Sequence, residues 1–262
     1  MLHKKDLFMG VYSPNRRLVE FQIEMKNVKG ALAETSTELA RLGVNLCSGF
    51  VTAYPEKPTA LFSFIADITE AHIDPERLTE EVSKLNVVSQ VKIHEANIEG
   101  LIVDEVHFPV LAIDERCIIL TVRTISAMFH QLREMFGPPA SSVLYHMGLV
   151  AGTSKVEAIR DKYGLTGKNV LDVFLSGRVA KGWGMPEILE FDETRATGKI
   201  RVHDLFECLR IDGKMTQVGS HFFRGYLEGL LSNVFGQPTL VKEEECMTKG
   251  HEYCTFIFQP RQ

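Results

Sequence analysis

Near the end of the chain, Glu243, Cys246 and Cys254 stand in a Glu-x2-Cys-x7-Cys run. Two thiolates and a carboxylate are sensible ligands for a tetrahedral Zn²⁺. Cys246 and Cys254 would sit across a hairpin whose turn, Thr248-Lys249-Gly250-His251-Glu252, contains the glycine that a tight reversal favours. One geometric condition must be met. On a regular strand Glu243 and Cys246 point to opposite faces, so sharing a metal requires a bulge or a strand end between them. Read without a metal, the same residues are reduced thiols of a core or a cross-hairpin disulfide. The chain has five cysteines, an odd count, so a disulfide framework is not expected.

Other chemistry is sparse. There is no Gly-x-Ser-x-Gly elbow, no phosphate-binding Gly-Lys-Ser/Thr loop, no dinucleotide glycine fingerprint and no His-Glu-x-x-His pair. No catalytic residue is nominated, and the balance is against an enzyme. Over 262 residues the net charge is −5 with both signs interspersed, which offers no basic face for direct nucleic-acid binding. No apolar run approaches the ~20 residues that span a bilayer. The start, Met1-Leu2-His3-Lys4-Lys5-Asp6, lacks the apolar stretch of a signal peptide, so a cytoplasmic protein without membrane partners is expected.

The elements that would position these groups read as an α+β chain. Val19, Phe21, Ile23 and Met25 alternate as in a half-buried strand, and Leu32, Leu39 and Leu42 form a helical stripe ended by Gly43. Strands follow at about 44–53 and 61–68. Asp74-Pro75 opens a second helix with Leu78, Val82 and Leu85 on its buried face, and a strand at 87–93 closes the set. The order βαββαβ predicts a four-stranded antiparallel sheet with both helices on one face, the ferredoxin-like arrangement. Asn27-Val28-Lys29-Gly30-Ala31-Leu32 followed by Leu42-Gly43-Val44-Asn45-Leu46 resembles an ACT domain over residues 16–95. It departs from that family at Asn27 and Lys29, where Asp and Pro are frequent. The resemblance implies an amino-acid-like effector held at Asn27, Gly30, Ala31 and Leu32, usually at a homodimer interface.

Residues 96–111 read as a connector that packs as a strand, and a second domain of mixed α/β type occupies 112–260. Helical segments run to Phe174, then strands at 185–191 and 199–203 joined by a turn containing Gly198. A long apolar helix spans 218–235, and a closing hairpin spans 239–258. Gly225 and Gly229 on that helix permit close backbone approach, which in a soluble protein means tight packing. Gly182-Trp183-Gly184, His203-Asp204-Leu205-Phe206-Glu207-Cys208, Phe223-Arg224-Gly225-Tyr226-Leu227-Glu228-Gly229 and the Glu243/Cys246/Cys254 run occur in one order. Together they resemble the vinyl-reductase (hydrocarbon-binding) domain family, found also as the sensor module of phenol-responsive activators. That resemblance implies a fold related to vesicle-tethering subunits, an internal apolar pocket and a structural zinc. In sensor members an upstream Cys completes the zinc site; here that position is Ser220, so the site recruits the adjacent His221 or Cys208, keeps a water, or stays empty.

Trp183, the only tryptophan, is a candidate pocket residue, although a large side chain between two glycines also reads as plain core. Phe222 and Tyr226 flank the helix glycines and carry the same two readings. His146 is the candidate for hydrogen-bonding a ligand, by the resemblance. The expectation is therefore a sensor that binds a small apolar or aromatic ligand and signals through a downstream regulatory protein. The alternatives are a reductase-type enzyme or its accessory factor, and a ligand-free dimeric scaffold.

Overall fold

The computed structural model describes residues 3–112, 115–211, 214–215 and 219–262. The chain divides into two compact units, Met1–Ile118 and Ile119–Gln262.

Unit 1 contains, in chain order, β1 (Gly10–Tyr12), β2 (Leu18–Lys26), α1 (Ala31–Arg41), β3 (Asn45–Ala53), β4 (Thr59–Asp67), α2 (Pro75–Ser83), β5 (Val88–Glu95), β6 (Leu101–Val103), β7 (Leu111–Ala112) and β8 (Glu115–Arg116). The main sheet has the order β3-β4-β2-β5, antiparallel at every pairing. Alternation does what period two requires. Val19, Phe21, Ile23 and Met25 of β2 and Phe62, Phe64 and Ala66 of β4 bury one face under Leu39 of α1 and Leu78 and Val82 of α2. Asp74 caps α2 by accepting from the Arg77 amide at 2.9 Å, with Pro75 in the first turn.

The phase of α1 differs from the expected stripe. Its buried positions are Ala31, Thr35 and Leu39, spaced four apart, while Leu32 is 41% exposed. The buried Thr35 hydroxyl donates to the Ala31 carbonyl at 2.9 Å and is thereby satisfied. On the other face of the sheet, Leu18, Ile65 and Ile102 form a small core with Phe8, Val11 and Ala96. Residues expected to act as a connector are thus part of unit 1: β6 pairs antiparallel with β1.

Unit 2 contains α3 (Val122–Phe136), α4 (Pro139–Tyr163), α5 (Gly167–Ala180), β9 (Met185–Asp192), β10 (Thr197–His203), a 3-10 turn (Phe206–Cys208), β11 (Arg210–Ile211), β12 (Lys214–Met215), α6 (His221–Phe235), β13 (Thr239–Glu245), a second 3-10 turn (Met247–Lys249) and β14 (Cys254–Pro260). Its antiparallel sheet runs β13-β14-β10-β9. Val218, the expected first residue of the long helix, lies outside the described residues. Gly198 sits inside β10 and not in the turn. A β-carbon there would come 2.3 Å from the Glu190 carbonyl and 2.4 Å from Phe258 Cζ, so close packing across the sheet explains this glycine.

Helix α6 is the centre of unit 2. Phe223, Leu227, Leu230 and Leu231 pack with Ile200, Val241, Phe256 and Phe258 of the sheet and Phe174 of α5. Glu228 is 3% exposed among them. Its carboxylate accepts from the Tyr145 hydroxyl, from the Arg261 guanidinium and from the Val241 amide at 2.9 Å. One acid therefore ties α6 to α4, to β13 and to the C-terminal segment. Glu228→Ala would strip three donors of their acceptor, and a loss of about 3 kcal/mol in urea unfolding is expected. A loss under about 1 kcal/mol, the worth of one ordinary hydrogen bond, would show the network to be incidental.

Candidate metal and ligand site

The β13–β14 pairing skips a residue: Glu243 lies opposite Phe256, whereas Glu245 lies opposite Thr255. Glu244 is the bulged residue, and the strand ends at Glu245. Bulge and strand end together bring Glu243 and Cys246 to one side, which meets the condition set by their spacing. Cys254, first residue of β14, joins them across the hairpin. The fourth donor is Cys208, last residue of the first 3-10 turn, and the four ligand atoms all lie within 4.8 Å of one another. Cys208 Sγ is 3.7 Å from Cys246 Sγ, which is 4.0 Å from Cys254 Sγ. The three cysteines are free and buried.

Ser220, just before α6, is the hub of this arrangement. Its amide and hydroxyl donate to the two oxygens of Glu243 at 3.1 and 2.8 Å, and its Oγ lies 3.0 Å from Cys208 Sγ. Thr248 Oγ1 sits 3.0 Å from Cys246 Sγ, and the Met247 amide donates to Cys254 Sγ at 3.5 Å. His221 is not one of the four clustered donors. A β-carbon built on Gly219 would lie 3.3 Å from His221 Nε2 and 3.4 Å from Glu243 Oε2, so the imidazole stands at the rim beside the carboxylate.

These donors suit a thiophilic dication. With Zn–S bonds of ~2.3 Å, the edge of a tetrahedron is ~3.8 Å, which brackets the observed sulfur separations. Hydrogen bonds from Cys208 and then Cys254 pull the Cys246 thiol well below its ordinary value, and the bond with Cys246 holds Cys208 well above it. Burial, then the charge of Cys246, pushes Glu243 up to about 7. Four acids compete for few protons in one small buried volume, the situation a bound cation relieves. Ser220, Thr248 and the Met247 amide would then hold the ligands in orientation.

Beside this cluster the expected ligand residues Trp183, Phe222 and Tyr226 do come together. Trp183 lies 5.0 Å from Tyr226, 5.2 Å from Phe206 and 5.8 Å from Phe222, and Phe129 lies 5.6 Å from Phe222. Arg178 stacks its guanidinium 4.5 Å above Trp183 and 5.1 Å above Tyr226, and donates to the Tyr226 hydroxyl. Sequence reasoning missed Arg178; an arginine inside the apolar 170–180 helix was the available signal. His146 is not brought to this cluster. It is exposed on α4, with its ring edge-on to Tyr145 at 5.3 Å.

Three consecutive residues join the two clusters. Phe206 belongs to the aromatic group and Cys208 to the sulfur group. Between them, fully buried Glu207 accepts from the amides of Phe222 and Phe223 at 3.0 and 2.9 Å and so caps the first turn of α6. Burial pushes Glu207 up to about 7, and the Arg133 guanidinium lies 3.8 Å away.

In unit 1 the expected effector residues are divided. The Asn27 side-chain amide donates to the carbonyls of Tyr54 and Lys57 at 2.8 and 2.9 Å, pinning the β3–β4 turn. Ala31 is buried, and Gly30 (φ 91°) and Leu32 face solvent.

Residues 199–260 match the vinyl-4-reductase domain family. That segment carries β10, the Phe206-Glu207-Cys208 turn, α6 and the hairpin, and so all four clustered donors. No curated protein matches. The chain is similar to the phenol-responsive sensory domain of the transcription activator PoxR, solved with phenol, at 18% identity and TM-score 0.47 over 56% of this chain and 78% of that one. It is similar to a vinyl-4-reductase family protein of Methanocaldococcus jannaschii at 16% identity and TM-score 0.37, over 56% and 85%. A trafficking protein particle complex subunit 3 of Naegleria fowleri, covalently bound to palmitic acid, is 13% identical with TM-score 0.42, over 54% and 93%. Among the described residues, no helix is long and apolar enough to cross a membrane.

Proposed function

We propose that the chain is a small-molecule sensor in which unit 2 binds an apolar or aromatic ligand among Trp183, Phe206, Phe222 and Tyr226. A structural zinc held by Cys208, Glu243, Cys246 and Cys254 stabilises the wall of that site. Unit 1 serves as a ferredoxin-like, ACT-type regulatory domain that forms the homodimer interface, and output passes to a partner protein. The observation that carries the reading is the turn Phe206-Glu207-Cys208, which links the aromatic group, the first turn of α6 and the sulfur cluster within the family-matched segment. A ligand that enters by displacing these rings shifts α6 relative to the hairpin, and it acts only through its different affinity for the two arrangements.

Trp183 is the sole tryptophan, so its fluorescence reports on the site directly. Titration with phenol, p-cresol and palmitate is expected to give a saturable emission change for at least one of them. At about 100 times Kd that ligand should add ~2.7 kcal/mol of stability. Tyr226→Ala should weaken the response. If none of the three changes either the emission or the melting temperature, the sensor reading fails.

A further inference from the structure

Unit 1 holds a second cluster with a different donor set. Glu20 of β2 points away from α1 and α2, on the same face as its cross-strand neighbour Ile65. Asp104 and His107 come from the segment that follows β6. Asp104 Oδ1 accepts from the amides of Val106 and His107 at 3.0 and 3.1 Å, which fixes the turn and brings the imidazole over the sheet. There His107 Nδ1 stands 3.0 Å from Asp104 Oδ1 and 3.2 Å from Glu20 Oε1. The three ligand atoms lie within 4.8 Å of one another. Phe8 and Phe50 flank the ring edge-on at 5.7 and 5.2 Å.

Glu20 marks this as more than a turn. Its side chain is 1% exposed, yet Oε1 accepts no hydrogen bond, because the nearby Nδ1 is bonded to Asp104. A carboxylate oxygen buried without a donor is costly. The adjacent carboxylate of Asp104 aggravates the cost: burial first, and Asp104 second, push Glu20 up to about 7.

We propose that Glu20, Asp104 and His107 form a divalent-cation site, with His107 Nδ1 and one oxygen from each carboxylate as ligands. The spacing suits it. For bonds of ~2.1 Å, adjacent ligands lie ~3.0 Å apart in an octahedron and ~3.4 Å apart in a tetrahedron, and the two nitrogen–oxygen separations fall in that range. With no sulfur among the donors, the set favours Mn²⁺, Fe²⁺ or Zn²⁺ at oxygen and nitrogen over the thiophilic ions suited to unit 2. The orienting partner of the imidazole is present as well. Fully buried Ser63 has its Oγ 2.9 Å from Nε2 and can accept the proton that Nε2 carries when Nδ1 binds metal. Gln22, whose amide nitrogen lies 3.3 Å from Nε2 and whose oxygen lies 3.2 Å from His94 Nε2, offers that oxygen to His107 after half a turn of its amide. Asp104 and His107 keep 12% and 20% of their side-chain surface exposed, which leaves a route in and open positions for water.

Mn²⁺ is the selective probe, because it avoids thiolate sites. Titration of the full chain, followed by loss of the free-ion electron paramagnetic resonance signal, should show one Mn²⁺ site whose pulsed spectrum carries imidazole nitrogen modulation. Glu20→Gln and His107→Ala should each weaken binding at least about tenfold, and Ser63→Ala, which keeps all three ligands, by a smaller factor. Cys246→Ser should leave it unchanged. No binding up to about 1 mM would overturn the proposal. So would binding that lacks the nitrogen modulation or is indifferent to Glu20→Gln. Should a ligand variant fail to fold, the wild-type spectrum and Ser63→Ala still decide.

Discussion

Protein isolated under reducing conditions is expected to carry one tightly held Zn²⁺ in a three-sulfur, one-oxygen environment. Cys254→Ser, Cys246→Ser and Cys208→Ser should each lose it. The variant that separates the possible ligand sets is Cys208→Ser, since His221→Ala, which removes a side chain at the rim, should retain the metal. Three sulfurs and a carboxylate left in one buried volume must share protons, with hydrogen bonds to sulfur as the only compensation. Zinc exchanges that for four strong bonds and ties the first 3-10 turn to the hairpin. Structural zinc in small peptides is worth ~10–16 kcal/mol of folding. Unit 2 has a core of its own, so the expected loss is smaller, about 4 kcal/mol, or ~10–15 °C in melting temperature. Acid should release the ion as thiolates and Glu243 take up protons. Metal analysis and X-ray absorption on wild type and Cys208→Ser decide the matter. Full zinc occupancy in Cys208→Ser would remove that residue from the ligand set.

What the sequence made legible follows from the range over which each signal acts. The strands and helices of residues 18–95 could be placed because one-sided burial writes period two or 3.6 directly into Val19-Phe21-Ile23 and Leu78-Val82. The hairpin donors were readable from spacing, and the need for a bulge followed from strand geometry. The position of the bulge at Glu244 did not, since it depends on pairing with β14. Cys208 is far from the hairpin in sequence. Nothing local separates it from His221 as the fourth donor; only the 3-10 turn, held by Leu205 and Glu207, aims it inward. Phase errors have a similar origin. One step of 100° decides between Ala31 and Leu32 in α1. In α4 the small residues Gly148 and Gly152 face inward while His146, Met147 and Val150 face out, the reverse of a hydrophobicity-based guess.

Those glycines yield the other large effect. Gly148 and Gly152 of α4 meet Gly225 and Gly229 of α6 reciprocally. A β-carbon on Gly225 would lie 2.0 Å from the Tyr145 carbonyl oxygen, and one on Gly229 2.2 Å from that of Leu149. On α4, a β-carbon at Gly148 or Gly152 would lie 2.0 Å from the Phe222 oxygen or 2.1 Å from the Tyr226 oxygen. The obstructing atoms are backbone, so no rotamer change relieves the clash and the two helices must separate along their contact. Alanine gains ~1 kcal/mol of helix propensity over glycine. Overpacking in a close-packed interior costs ~1–3 kcal/mol, more where the backbone must move. For Gly225→Ala the second effect wins, and a net loss of about 3 kcal/mol, or ~6–12 °C in melting temperature, is expected. The same substitution at Gly177 of α5, where a β-carbon would meet nothing within 4 Å, leaves only the propensity gain and should stabilise by ~0.5–1 kcal/mol. Opposite signs for one chemical change isolate helix–helix contact as the cause. Because Phe222 and Tyr226 flank Gly225, its alanine variant should also perturb Trp183 emission, whereas Gly177→Ala should leave it alone. A stabilised Gly225→Ala protein would mean that α4 and α6 do not pack backbone to backbone.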